Sequence, residues 1–348
     1  MGRRNKSYRK DLHQQAYEKL TKMQAFSESK KDAIRSGTEK DRIFSFNTYQ
    51  TYWKHIKYFI KYVQKEHPEC TTLKQAKKYA NEWLQSRAEQ KNKNGQHLSA
   101  WTIQTEAAAL NKLFQIDKAD PERFQPPRRN RKDIKRSRTD AVRDKHFSVT
   151  NNDELIKFCK GTGLRRSGIE SIKSEDLMSR DDIEAEIARI KAIPAHQRSN
   201  DDKTKLSIYL DTRIFKNPSP DFFIYVKEKG GRKRLSPVVG PNTEEIIYRF
   251  KQTKKGEKVW QYVNSNADIH SYRADYATTL YKMYARPINE IPFDTVNNGS
   301  GRKYQSDVYV CRKDEAGKKL DRRAMLICSK ALGHNRIDVV ANNYLRAL

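Results

Sequence analysis

Residues 331–348, ALGHNRIDVVANNYLRAL, set His334 directly after Gly333 and place Tyr344 close to the last residue. Asp321 is positioned to cap a helix bearing Ala324, Cys328, Ala331 and Leu332, and Gly333 would end it in a left-handed cap. A final helix then sets Ile337, Val340 and Tyr344 on one face. Tyr344 is thus expected on a packing face, with His334 at the preceding turn. Such a tyrosine is either a core residue or a nucleophile, and the other polar residues must decide.

Two further segments put positive residues where apolar side chains belong. In TGLRRSGIESIKSEDL, a helix would align Arg165 with Ile169 and Ile172, and Arg166 with Glu170 and Lys173. Arg166 then reads as a surface residue and Arg165 as an inward one. An inward arginine needs a structural ion pair or an anionic ligand. In DIHSYRADYATTLYKMYA, Asp268 caps a helix whose His270 and Arg273 extend the stripe of Ala277, Leu280, Tyr281 and Tyr284. The positive end of that helix also favours an anion. The segments together supply two inward arginines, two histidines and a tyrosine. Guanidinium forks match phosphate oxygens, so the set reads as a phosphodiester site with Tyr344 as nucleophile. No DxD, HxE or carboxylate cluster points to a metal, and neither metal nor cofactor is expected.

The charge balance agrees. Lys and Arg number 71 against 43 Asp and Glu, a net +28, which concentrates polyanions around the chain. Nucleic acid is the first candidate partner. An anionic membrane surface is second, but no basic amphipathic helix with a bulky apolar face is present. No apolar run approaches a membrane span, and the basic start lacks a secretory signal's apolar segment. Cys70, Cys159, Cys311 and Cys328 are scattered without zinc spacing, as in a reducing compartment.

The elements that must position these residues divide the chain in four. Residues 1–39 read as a basic N-terminal helical extension, with a helix over 6–35. Residues 40–117 read as a small helical domain: a helix capped at Ser45 or Asn47, one carrying Leu73 to Leu84, and one from Ser99. Lys54, Lys57 and Lys61 lie off the first helix's apolar face and are candidate DNA contacts. Residues 118–145 form a basic linker in which Pro121, Pro126 and Pro127 break helices. Its Arg128, Arg129, Arg131, Lys132, Lys135 and Arg136 form either a solvated run or a tether along a phosphate backbone. In 146–348, a helix stops at Gly161, two strands flank Gly230-Gly231, and helices cover 242–253 and 268–285. A hairpin follows in DVYVCRKDEAGKKL, and two helices close the chain.

In their order these motifs resemble the tyrosine recombinases, the phage-integrase family. TGLRRSGI is similar to that family's first box, KGGRKRLSP to its strand-turn-strand, HSYR to its His-x-x-Arg box, LGHNR to the next, and NNYL to its nucleophile segment. The resemblance implies Arg165, Lys229, His270, Arg273, His334 and Tyr344 as catalytic residues, with Asp176 where the family often has an aspartate. It implies a mainly α fold with a small antiparallel sheet: a helical core-binding domain and a mixed α+β catalytic domain, closing on DNA as a C-shaped clamp. Arg232, beside the hairpin turn, joins the DNA contacts. Arg165 and Arg273 would clamp the phosphate, Tyr344 would form a 3′-phosphotyrosyl bond, and Lys229 would protonate the leaving 5′ oxygen. His270 would assist proton transfer and His334 would hydrogen-bond the phosphate. The implied partner is double-stranded DNA carrying specific sites, bound by a homotetramer that is a monomer or weak oligomer when free. The implied setting is the cytoplasm, on the nucleoid, with the gene on a prokaryotic, phage or other mobile element. A topoisomerase-like or telomere-resolving enzyme would use the same chemistry, and a non-catalytic DNA-binding relative is the alternative class. The chain departs from the family pattern at Gly168, where an acidic residue is usual, and in apparent insertions near 178–220 and 286–320. Only about one helical turn follows Tyr344.

Overall fold

The computed structural model describes residues 10–130, 147–227, 231–291, 307–312, 315–334 and 336–345. The chain is mainly helical with a small antiparallel sheet, and it divides into two compact units, Met1–Asn130 and Arg131–Leu348. Among the described residues, no helix is long and apolar enough to cross a membrane.

The first unit holds α1 (Leu12–Thr21), α2 (Lys30–Arg35), α3 (Phe46–Glu66), α4 (Leu73–Ala76), α5 (Ala80–Glu89) and α6 (Ala100–Phe114). Leu12, Ala16 and Leu20 recur at four-residue spacing and bury one stripe of α1 against the same core as Ile56, Phe59 and Leu110. Helix α1 and Met23, in the segment read from the sequence as an extension, therefore share the core of the helices that follow. The single helix expected over 6–35 is interrupted. The Ile43 amide bonds the Met23 carbonyl, and the Ala25 amide bonds Ile43 in turn (2.9 Å for the latter). Those bonds satisfy buried backbone that a continued helix would leave elsewhere. Ser45 and Ser99 cap α3 and α6, each accepting a backbone N–H at 3.2 Å. Such a cap contributes about 1 kcal/mol.

The second unit holds α7 (Asp153–Thr162), α8 (Arg166–Ile169), β1 (Leu177–Ser179), α9 (Arg180–Ala192), α10 (Asn200–Asp211), β2 (Phe222–Lys227) and β3 (Lys233–Pro237). Then come α11 (Thr243–Gln252), α12 (Ile269–Tyr284), β4 (Val308–Val310), β5 (Lys319–Asp321), α13 (Arg322–Ala331) and α14 (Asp338–Asn343). The sheet runs β1-β2-β3, all antiparallel, with Ile224 opposite both Leu177 and Ser236. Strand β1 was not expected, because three residues are too few to show alternation. The unit carries two apolar clusters. Ile183, Ile187, Tyr209 and Phe215, from the segment read as an insertion, lie in one of them with Leu280 and Leu332. That segment thus completes a core. The second apparent insertion contributes the β4–β5 hairpin, whose Asp307 and Asp321 both bind Arg286 (3.2 and 2.8 Å).

Candidate active site

Helix α12 crosses from one cluster to the other. Tyr272 packs in the first and Ala274 in the second, with Arg273 between them at 1% exposure. A buried guanidinium must find acceptors. Arg273 donates to the carbonyls of Gly163 and Leu332, at the C-terminal ends of α7 and α13. Such ends carry unsatisfied carbonyls and negative potential. Gly163 sits at φ +58°, and a Cβ there would lie 2.2 Å from the Tyr276 ring. Only glycine lets α7 end this close to α12. The sequence reading stopped the helix at Gly161; it continues to Thr162 and ends at Gly163 because the left-handed residue is the later one.

The end of α13 is held by three arginines. Arg234 donates to Ala331, Arg273 to Leu332 and Arg232 to Gly333 (3.0 Å for the last). Gly333 adopts φ +71°. Its N–H bonds Lys330 at 3.0 Å and the His334 N–H bonds Ser329 at 2.8 Å. This is the double bond pattern by which glycine terminates a helix, and it fixes where His334 leaves α13. His334 Nε2 lies 3.3 Å from the Tyr344 hydroxyl. Tyr344, just past α14, is 4% exposed. Its ring centroid is 5.6 Å from the Arg273 guanidinium and 6.3 Å from the His270 ring.

Electrostatics mark this cluster as strained by like charge. Burial, then the Arg273 charge, holds the Arg165 guanidinium down to about 10. Burial, then Arg273, lowers Arg234 to about 9. His334 is pushed down to about 3 by burial, then by Arg273, Arg165, Arg234 and Arg232. It is therefore a neutral imidazole at ordinary pH, able to accept a proton or hydrogen bond. Each of the two helix ends contributes roughly half a negative charge against four guanidiniums, so these groups alone leave about three positive charges. An anion among them would relieve that repulsion.

The structure brings Arg165, Arg273, His334 and Tyr344 together, and adds Arg232, which the sequence grouped with the DNA contacts. It corrects two expectations. His270 was read as inward, but it is exposed, although Ile269, Ser271 and Tyr272 beside it on the first turn of α12 are buried. Arg166 was read as a surface residue on a charged helix face. Yet α8 is only four residues long and Arg165 precedes it in extended conformation (φ −79°, ψ 160°), so no long helix face exists. Arg166 instead donates to four main-chain carbonyls between Val263 and Ala267. Arg234 was missed. Alternation along β3 offered the signal, since Arg234 and Ser236 share a strand face, and Ser236 Oγ bonds Thr162 O at 2.8 Å.

Asp176 accepts the Lys173 N–H at 2.8 Å and shapes the turn into β1. Lys54 and Lys61 are exposed on α3, and Lys57 lies 5.9 Å from the Trp53 ring. Arg128 and Arg129 are exposed, Arg129 at 5.5 Å from the Trp101 ring. Lys229, Arg131, Lys132, Lys135 and Arg136 lie outside the described residues. Among the described residues, no group of three or more His, Cys, Asp or Glu side chains is arranged to hold a metal ion. Compared with protein-family models and with curated proteins, the chain finds no match.

Proposed function

We propose that this chain breaks and rejoins DNA strands through a 3′-phosphotyrosyl intermediate on Tyr344, as a site-specific recombinase. The observation that carries this reading is a tyrosine hydroxyl 3.3 Å from a neutral histidine inside a cluster of four arginines. A core tyrosine needs no such surroundings. A phosphodiester does, because its charge grows in the pentavalent transition state and preformed cations stabilise it there.

The steps follow from the atoms. The Tyr344 hydroxyl gives its proton to His334 Nε2 and its oxygen attacks phosphorus. The bond from phosphorus to the 5′ oxygen breaks, and that oxygen takes a proton, for which Lys229 is the candidate donor. Arg165 would hold the non-bridging oxygens, and Arg273, already bonded to the Gly163 and Leu332 carbonyls, would contribute chiefly its charge. Bound phosphate partly neutralises the arginines, so the His334 pKa rises as substrate arrives and the imidazole becomes a better base. Its 3.3 Å contact favours His334 over the exposed His270 as first proton acceptor. Rejoining is the same sequence reversed with a new 5′ hydroxyl, so the phosphodiester energy is kept. The helical first unit, with Lys54, Lys57 and Lys61, would grip the duplex beside the cleavage point, and four copies would act on two duplexes.

The test uses the full chain and nicked duplexes tiled across the DNA flanking its gene. Wild-type protein should form a denaturation-resistant covalent complex with one of them, and Tyr344→Phe should form none while binding that duplex normally. A complex that persists in Tyr344→Phe sinks the assignment. Strand exchange between two marked duplexes separates a recombinase from a topoisomerase-like enzyme.

A further inference from the structure

We propose that Arg166 is the positioning residue that sets the distance between Arg165 and the helix bearing His270 and Arg273. Its Nη1 donates to the carbonyls of Val263 (3.1 Å) and Asn264 (2.9 Å), and its Nη2 to those of Ser265 (3.1 Å) and Ala267 (3.0 Å). Four carbonyls from a five-residue loop thus turn toward one guanidinium. Oxygens gathered in this way repel one another and need a cation or donors at their centre. Glu170 stands 3.9 Å away and is about half exposed, so the carbonyls rather than the acid fix the side chain.

The clamp joins two parts of the active site. On one side, Arg166 is the first residue of α8, and Arg165 precedes it with its carbonyl accepting the Ile169 N–H at 3.0 Å. On the other, Ala267 O also takes the N–H of Ile269, the first residue of α12, at 2.9 Å. Asp268 then caps α12 through the Ser271 N–H at 3.3 Å. A planar, rigid fork therefore runs from the Arg165 backbone to the helix turn that presents His270 and Arg273. The four Nη hydrogens are all engaged, so a bidentate grip on a DNA phosphate would require the loop to be released.

Backbone hydrogen exchange on the full chain tests the clamp without DNA. In Arg166→Ala, the amides of Asn266, Ala267, Ile269 and Ser271 should exchange at least tenfold faster, and millimolar guanidinium ion should restore part of the protection. Arg166→Lys, with one smaller donor group, should fall between. Unchanged exchange at these amides overturns the proposal. If Arg166→Ala does not fold, Arg166→Lys decides: faster exchange confined to 263–271 supports it, and a uniform increase across the chain overturns it. The consequence for chemistry rests on the strand-breaking reading of Tyr344. Covalent-complex formation at saturating nicked duplex should slow on the order of 10²-fold with DNA affinity nearly unchanged, as expected when reacting groups are misplaced by about 1 Å. Reduced affinity with a shallower salt dependence and normal covalent chemistry would make Arg166 a DNA contact and overturn the clamp's role. Absence of any covalent complex in the wild type would instead defeat the reading of Tyr344, and the exchange result would stand by itself.

Discussion

Each unit of the chain buries charge, and the two do it in opposite ways. In the first unit, Glu106 has no exposed surface and is met by Arg87 (2.8 Å) and His55 (3.3 Å). Burial acts to raise its pKa, but the bonds from His55 and Arg87 outweigh that and hold it below the usual range. In the second unit, Arg165, Arg232, Arg234 and Arg273 crowd one place, and burial, then the neighbouring arginine charges, pushes Arg165, Arg234 and His334 downward. The second unit can also pair buried charge: Arg286 and Asp321 bond at 2.8 Å with Asp321 fully covered. The arginine cluster is thus a local property of the site. Glu106 is neutralised where it is buried, whereas the arginines, three of which bond helix-end carbonyls, leave positive charge that a bound anion would offset.

The largest effects should come from breaking this contrast by substitution. Arg165→Met should lower covalent-complex formation by about 10²–10³-fold, the usual loss when one preformed donor to a developing oxyanion is removed. Its melting temperature should stay level or rise, because a half-buried like charge is gone. Arg87→Met should do the reverse. It strands Glu106 without its arginine and should cost roughly 3–5 kcal/mol of stability, read by denaturant unfolding of the first unit. If Arg165→Met destabilises the second unit as strongly as Arg87→Met does the first, the cluster is structural.

Next in size is stabilisation by anion. Inorganic phosphate should raise the melting temperature of the second unit, by about 2.7 kcal/mol of stability at a hundredfold excess over its dissociation constant. The first unit, and Arg165→Met, should respond far less. An equal shift in both units would point to general salt effects instead.

Part of the arginine side of this contrast could be read from sequence, the pairing at Glu106 could not, and the failures have physical reasons. Gly333, Asp321 and the stripe ending at Tyr344 specify a helix end and a packing face locally, so His334 and Tyr344 came out together. Arg273 was legible because α12 is long enough for its period to show. Arg166 was not, because four helical residues have no reliable face and its partners lie almost a hundred residues away. His270 was misread only in its burial: it is exposed, yet its ring lies 6.3 Å from that of Tyr344. Arg234 was hidden inside a basic run read as two strands around a turn, where its charge gave no sign that it is buried along with Leu235 and Ser236.

The last effect concerns the proton on His334. An unfolded histidine titrates near 6.5, whereas burial and then the arginine charges push folded His334 down to about 3. Between those values the unfolded chain takes up a proton that the folded chain refuses. The contribution of His334 to stability is therefore whole above about pH 6.5 and shrinks as the pH falls toward about 3. Replacing Arg234 with Met removes one of the charges acting on the ring and should move the His334 titration upward. Phosphate bound among the arginines should move it upward further, because it opposes all four charges at once. Imidazole resonances followed by NMR read this directly: His334 should stay neutral to below pH 5 in the free protein and begin to protonate at higher pH in phosphate. A His334 that titrates near 6.5 without any anion would mean that the arginines do not act on it, and the base proposed for Tyr344 would then need another source of tuning.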